Sequence, residues 1–220
     1  ANFILADEIN RTSPKTQSAL LEVMEEGKAT VEGVTRPLPT PFFVIATENP
    51  YGSSGTQKLP ESQLDRFMVC LSIGYPDSES AVNILKNDSS INLKNVEKII
   101  SSDQLIEMQN EVQNLFVSDE LFQYVVALTE STRDPGVYDI GLSPRGSIAL
   151  LKMAKAYAYV NGKNFLSPED IQDVFLPVTM HRVKLSGKSR AAGLSLEDAL
   201  TASMKSVNIP TVNTSATAKK

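Results

Sequence analysis

Three short apolar runs stand in the first third of the chain: Phe3-Ile4-Leu5-Ala6, Phe42-Phe43-Val44-Ile45-Ala46-Thr47 and Met68-Val69-Cys70-Leu71-Ser72-Ile73. Runs of this length predict strands buried on both faces, as in a parallel sheet covered by helices. Between the first two, Thr12 or Ser13 is placed to cap a helix with Pro14 at its first position, and Gly27 stands where that helix stops. Ala19, Leu20, Val23 and Met24 share a face of it and are expected to pack on the sheet. Residues 29–36, β-prone on either side of Glu32-Gly33, predict a hairpin. Pro37, Pro39 and Pro41 break the chain before the second strand. Residues 51–59 predict an exposed loop, and Pro60 to Phe67 a short helix.

After Gly74-Tyr75-Pro76-Asp77 the pattern turns helical. A helix is expected from Asp77 or Ser78 to about Lys86, followed by a polar stretch through Asn95. The sets Leu105, Met108, Val112, Leu115 and Leu121, Val125, Leu128 mark two amphipathic helices. Asp134-Pro135-Gly136 predicts a turn. Ser143-Pro144 and Ser167-Pro168 have the cap-then-proline signature of helix starts, Gly162 separates them, and Ser195 opens a last helix to about Val207. Residues 1–74 thus read as an α/β unit, 75–209 as an all-α bundle, and 210–220 as a disordered tail.

The chemistry gathers where the strands end. Asp7 and Glu8 follow the first strand, and Glu48-Asn49-Pro50 follows the second. Ligands bind off the carboxyl ends of strands in open α/β sheets. A parallel crossover puts both ends on one edge, so Asp7, Glu8 and Asn49 are expected to converge. Side chains alternate along a strand, so two adjacent acids can take different tasks. Such a pair suits metal-assisted phosphoryl chemistry, one carboxylate holding Mg²⁺ and the other aligning a water.

Composition narrows this picture. The 220 residues carry a net charge of −5, against a general nucleic-acid binder. One cysteine, Cys70, excludes an internal disulfide and fits a reducing compartment. It is expected in the core, as part of the third strand. His181 is the single histidine and has no cysteine or second histidine to share a metal, which points to a structural role. No run is long enough to span a bilayer and the first residues lack a basic start, so a cytoplasmic location is expected.

Taken in order, the motifs resemble the MoxR family of AAA+ ATPases. The resemblance rests on Leu5-Ala6-Asp7-Glu8-Ile9-Asn10-Arg11, on Pro14 through Glu22, and on Leu38 through Thr47 with Asn49-Pro50. It continues in Leu59-Pro60-Glu61, Gln63-Leu64-Asp65-Arg66-Phe67, Gly74-Tyr75-Pro76 and Leu142-Ser143-Pro144-Arg145. Val160-Asn161-Gly162, Pro168-Glu169-Asp170-Ile171 and His181-Arg182 extend it through the lid, to about residue 185. So many matches in one order are specific.

The resemblance implies a fold and a set of roles. The fold is part of an AAA+ P-loop-type parallel sheet with flanking helices, followed by an all-α lid. Asp7 and Glu8 match the Walker B pair, Asp7 for the Mg²⁺ shell through water and Glu8 for the attacking water. Asn49 matches the first sensor of the γ-phosphate, Arg66 the arginine finger, and Arg145 the second sensor on the lid. The hairpin matches the one preceding the first sensor, a substrate- or partner-facing element. ATP and Mg²⁺ are the implied cofactors. A homo-oligomeric ring, expected to be hexameric, a partner with a von Willebrand factor A domain, and a client protein that is remodelled or matured are the implied partners. A non-enzymatic interaction or regulatory module derived from such an ATPase is the alternative.

Two departures bear on this. The sequence contains no G-x-x-x-x-G-K-[ST]; Gly187-Lys188-Ser189 has Arg182 where the leading glycine belongs and reads as a decoy in a surface loop. The missing loop is expected before Ala1, and the chain alone is expected to be inactive and either to associate through its unpaired strand edges or to have only its lid stably folded. Glu48 stands where the family usually has a glutamine, either weakening nucleotide binding or facing away.

Overall fold

The computed structural model describes residues 1–49, 59–86 and 96–211. Strand β1 (Phe3–Ala6) leads through a 3₁₀ turn (Ile9–Arg11) into α1 (Pro14–Glu26). The helix begins as the sequence dictates: Pro14 is in its first turn and the Ser13 side chain accepts the Thr16 backbone N–H. It ends at Gly27, whose φ of 62° is the left-handed conformation that only glycine adopts without cost. Strands β2 (Lys28–Val31) and β3 (Val34–Pro37) form the expected antiparallel hairpin. Glu32 and Gly33 both have positive φ, 53° and 78°, which is the type I′ turn matching the twist of the two strands.

Strand β4 (Phe43–Ala46) then pairs with β1 in parallel, Phe3 opposite Phe43 and Ala6 opposite Ala46. Burial alternates along both strands. Phe3, Leu5, Phe43 and Ile45 are 60, 66, 55 and 52% exposed on one face, where the Phe3 and Phe43 rings meet with centroids 5.9 Å apart. The expectation of strands buried on both faces is therefore corrected: none of the described residues covers that side. On α1 the buried positions are Gln17 and Leu21 rather than the predicted Ala19 face. The Gln17 amide turns inward because it donates to the Ile9 and Thr12 carbonyls at 3.1 and 3.3 Å.

The third apolar run forms no strand. Helix α2 (Glu61–Leu64) is followed by an irregular segment through residue 77, with Cys70 exposed rather than in a core. The backbone groups a strand would pair go to the helical half instead. The Cys70 N–H donates to the Pro177 carbonyl at 2.9 Å, and the Met68 carbonyl accepts from Arg182 at 3.1 Å.

The remaining helices are α3 (Ser78–Lys86), α4 (Ser102–Asn114), α5 (Asp119–Ser131), α6 (Pro144–Val160), α7 (Pro168–Thr179), α8 (Gly187–Ala191) and α9 (Leu196–Ser206). Serine caps accept from the first-turn backbone of α4, α6 and α9. A two-stranded antiparallel ribbon, β5 (Tyr138–Ile140) with β6 (Lys184–Leu185), modifies the all-helical reading. The main core lies here, formed by Leu121, Leu128, Leu150, Ile171, Phe175 and Leu200, all fully buried. At about 1.5–3 kcal/mol for each such side chain, this half holds most of the burial free energy. Ala154 and Ala158, fully buried on α6, let α7 approach closely.

The Gly187-Lys188-Ser189 stretch opens α8 rather than a surface loop, and Ser189 is buried with its hydroxyl donating to the Val137 carbonyl at 3.0 Å. The loop predicted over 51–59 (Leu59 apart), the polar stretch over 87–95 and the tail beyond residue 211 lie outside the described residues.

Candidate functional site

The parallel pairing of β1 and β4 brings their carboxyl ends together. Thr47, one residue past β4, binds both acids: its hydroxyl donates to Asp7 Oδ1 at 2.6 Å and accepts the Glu8 backbone N–H at 2.8 Å. Its own N–H and carbonyl continue the ladder to the Ala6 carbonyl and the Ile9 N–H, each at 3.0 Å. Glu8 takes a left-handed conformation, φ 48° and ψ 50°, and its carboxylate pairs with Arg11 at 3.2 Å. The turn takes Glu8 off the strand direction, and the two carboxylates have different partners, Thr47 for Asp7 and Arg11 for Glu8.

Asn49 lies two residues beyond Thr47. Its carbonyl accepts from Asn10 Nδ2 at 3.1 Å, tying the end of β4 to the 3₁₀ turn after the acids. Asp7, Glu8 and Asn49 are therefore gathered on one edge, as the crossover argument predicts. Glu48 is exposed on the same edge.

Arg66 and Arg145 form a second grouping at the far end of α1. Both bind the carboxylate of Glu25, Arg66 Nη2 at 3.1 Å and Arg145 Nη2 at 2.6 Å. Arg145 sits at the second position of α6, after the Ser143 cap, and also approaches Asp65 at 3.9 Å. Asp65 in turn accepts from the Ser143 hydroxyl at 3.1 Å and from Arg182 Nε at 3.0 Å. The two arginines are thus brought together, but not onto the edge that carries Asp7 and Glu8.

Sequence reasoning missed Thr47, Glu25 and the reach of Arg182. Thr47 and Arg182 lie inside quoted motifs, but neither spacing nor composition gave either a partner. Glu25 belongs to the run Glu22, Glu25, Glu26, whose helical spacing reads as a solvated face. Its two partners are contributed by segments 41 and 120 residues away.

His181 is half-buried and its Nε2 lies 3.0 Å from the Phe67 carbonyl, which fixes the proton on that nitrogen. Burial, reinforced by the Arg182 charge, lowers it to about 4. The ring is neutral at physiological pH and acts as a structural donor, as expected. Among the described residues no group of three or more histidines, cysteines or acids could hold a metal, and no helix is long and apolar enough to cross a membrane.

Comparisons with known proteins bear on the family and the fold. The model of the ATPase family associated with various cellular activities (AAA) matches residues 1–69, and that of the AAA lid domain matches 132–202. Chaperone MoxR1 of Mycobacterium tuberculosis is 37% identical over 222 residues, covering 97% of this chain and 59% of that protein. The chain belongs to the MoxR-type AAA+ ATPase family. Uncharacterized protein YeaC of Bacillus subtilis, 44% identical over 211 residues, shares 95% of this chain and 66% of its own. A crystal structure of a Cytophaga hutchinsonii protein provisionally assigned as an ATPase superposes with a TM-score of 0.88 at 38% identity, over 96% of this chain and 67% of that one. The chain therefore spans about two thirds or less of the curated MoxR-type relatives it matches. The AAA+ sheet-and-lid organisation holds along it: a parallel strand pair with flanking helices, then a helical lid.

Proposed function

We propose that this chain is the Walker B, sensor and lid portion of a MoxR-type AAA+ ATPase that couples ATP hydrolysis to chaperone-like remodelling or maturation of a client protein. The observation that carries the reading is Thr47 holding Asp7 and Glu8 at the shared edge of β1 and β4, with Asn49 beside them. The donor set fits the implied cation. One hard carboxylate is what Mg²⁺ takes from a protein when water and nucleotide phosphates complete its shell, and Asp7 keeps its second oxygen clear of Thr47. When bound, Mg²⁺ supplies positive charge to the phosphate oxygens.

The chain's own residues divide the remaining work. Asp7 holds the cation's water shell. Glu8, turned off the strand, orients the attacking water and accepts its proton. Asn49 positions the terminal phosphate. Arg66 reaches the nucleotide of the adjacent subunit, where an arginine finger is worth about 10³–10⁵ in rate. Arg145 contributes a second positive charge from the lid. Residues 1–74 form the core portion and 75–209 the lid, with 210–220 a tail. The assembly is a homo-oligomeric ring, hexameric by family resemblance, that acts with a von Willebrand factor A domain partner in the cytoplasm.

The carboxylates need a phosphate cradle, and the sequence contains no phosphate loop, so the 220 residues alone do not turn ATP over. The test compares ATP hydrolysis by this chain with a form extended upstream through a phosphate loop. Activity in the extended form alone supports the reading. Inactivity of a folded, assembled extended form would favour a non-enzymatic interaction module, a reading that the concentration of the core in the lid also suits.

A further inference from the structure

The segment that bears Arg66 is fastened to the lid. The Arg182 guanidinium, 2% exposed, donates to the Asp65 carboxylate at 3.0 Å and to the Asp65 and Met68 carbonyls at 3.2 and 3.1 Å. It also binds the carbonyls of Phe67 and of Val178, at the end of α7. His181 Nε2 also donates to the Phe67 carbonyl, at 3.0 Å. The Cys70 N–H caps the Pro177 carbonyl, one of the last four of α7, which have no partner inside the helix. Ser143, the cap of α6, holds Asp65, and Lys184 of β6 pairs with Glu61 at 2.9 Å. Toward the sheet side, Arg66 itself meets α1 through the half-exposed pair with Glu25.

We propose that Arg182 is a positioning residue for Arg66: by tying residues 65–70 at the end of the core portion to the lid, it sets the place of Arg66 relative to Arg145. The inference rests on the reading of Arg66 as the residue that reaches a neighbouring nucleotide. A buried fork with several carbonyl partners sets position through its shape, and a lysine, a point charge with three donors, does not reproduce it. A shift of the lid against the sheet is then passed to Arg66 through residues 65–70, and the two partly exposed contacts with Glu25 are the ones that give way. Arg66 thereby reports the state of its own lid to the adjoining subunit.

The first test uses this chain and needs no nucleotide. Hydrogen exchange at the amides of residues 67–70 is compared in the wild type, Arg182→Lys and the milder Asp65→Asn, with melting curves confirming that each lid is folded. At least tenfold faster exchange there, with the Leu150 amide unchanged, is expected in both variants. Unchanged exchange at 67–70 would overturn the fastening. The second test is a double-mutant cycle in the extended, active form. Arg182→Lys is expected to lower kcat at least tenfold with KM for ATP unchanged, and to have less than a twofold effect when Arg66 is already alanine. An equal effect in both backgrounds would make Arg182 merely structural. Full hydrolysis by Arg66→Ala would overturn the role of Arg66 itself, while the exchange result still decides the fastening.

Discussion

Thr47 stands between the two acids, donating to Asp7 at 2.6 Å and accepting the Glu8 backbone N–H at 2.8 Å. A hydroxyl can do both at once, since its one proton and its lone pairs point in different directions. The bond to the carboxylate is charge-assisted and short, so it fixes Asp7 Oδ1 and with it the orientation of the carboxylate that would hold the cation's water shell. Thr47→Val keeps the shape and removes both bonds. Loss of a group that orients a metal ligand costs about 10–100-fold, and kcat for ATP in the extended form is expected to fall in that range. Thr47→Ser is expected to restore most of it, and an unimpaired valine variant would contradict this role.

Stability is expected to depend on pH through His181. Its folded value, about 4, lies below the ordinary 6.5, so the unfolded chain takes up the proton first as the solution is acidified. Its contribution is complete above pH about 6.5 and is lost progressively as pH falls toward about 4. The ring is only partly buried, which limits the loss to at most about 2–3 kcal/mol. Urea unfolding at pH 7.5, 5.5 and 4.5 measures it. His181→Gln is expected to flatten this share of the pH dependence.

Gly141 sits where the turn after β5 passes close to the end of α5. A Cβ there would lie 2.5 Å from the Thr132 carbonyl oxygen and 2.7 Å from Arg133 Cγ. The same turn is pinned by the Leu142 N–H donating to the Thr132 hydroxyl at 2.9 Å. Backbone cannot yield as a side-chain tip does, so Gly141→Ala is expected to destabilise the lid by about 1–3 kcal/mol in denaturant unfolding. A change within about 0.5 kcal/mol, typical of ordinary surface sites, would contradict the close approach.

Two phenylalanines test where the core lies. Phe175 is fully buried on α7, whereas Phe43 on β4 is 55% exposed. Truncating a buried phenylalanine to alanine costs about 3–5 kcal/mol, and Phe175→Ala is expected to do so. Phe43→Ala is expected to cost less than about 1 kcal/mol, chiefly its contact with Phe3. Similar losses from both, measured by calorimetry, would contradict a core centred in the lid.

Local rules carried the sequence reading a long way. Ser13-Pro14 and Gly27 bound α1, Glu32-Gly33 turns the hairpin, and Ser143-Pro144 and Ser167-Pro168 open α6 and α7, because caps and turns are decided by neighbouring residues. The convergence of Asp7, Glu8 and Asn49 follows from two strands and a crossover, which is also nearly local information. Three of the failures share one physical origin. Residues 68–73 are strand-like in composition, yet the Met68 carbonyl goes to Arg182 and the Cys70 N–H to the Pro177 carbonyl, both partners more than 100 residues away. Cys70 was misplaced with that strand. Glu25 looked solvated because its helical neighbours do not reveal Arg66 and Arg145 arriving from elsewhere. Long-range polar partners leave no periodic trace.

The measurement that tests the central claim most directly is single-turnover ATP hydrolysis by the extended form with Glu8→Gln, beside nucleotide binding by the same protein. Glutamine keeps the shape of Glu8 but cannot accept a proton from water. ATP binding within about threefold of wild type, with hydrolysis reduced at least about a hundredfold, is the result this account predicts. Hydrolysis at the wild-type rate would contradict the assignment of Glu8, and with it the reading of the β1 edge as the place where ATP is cleaved.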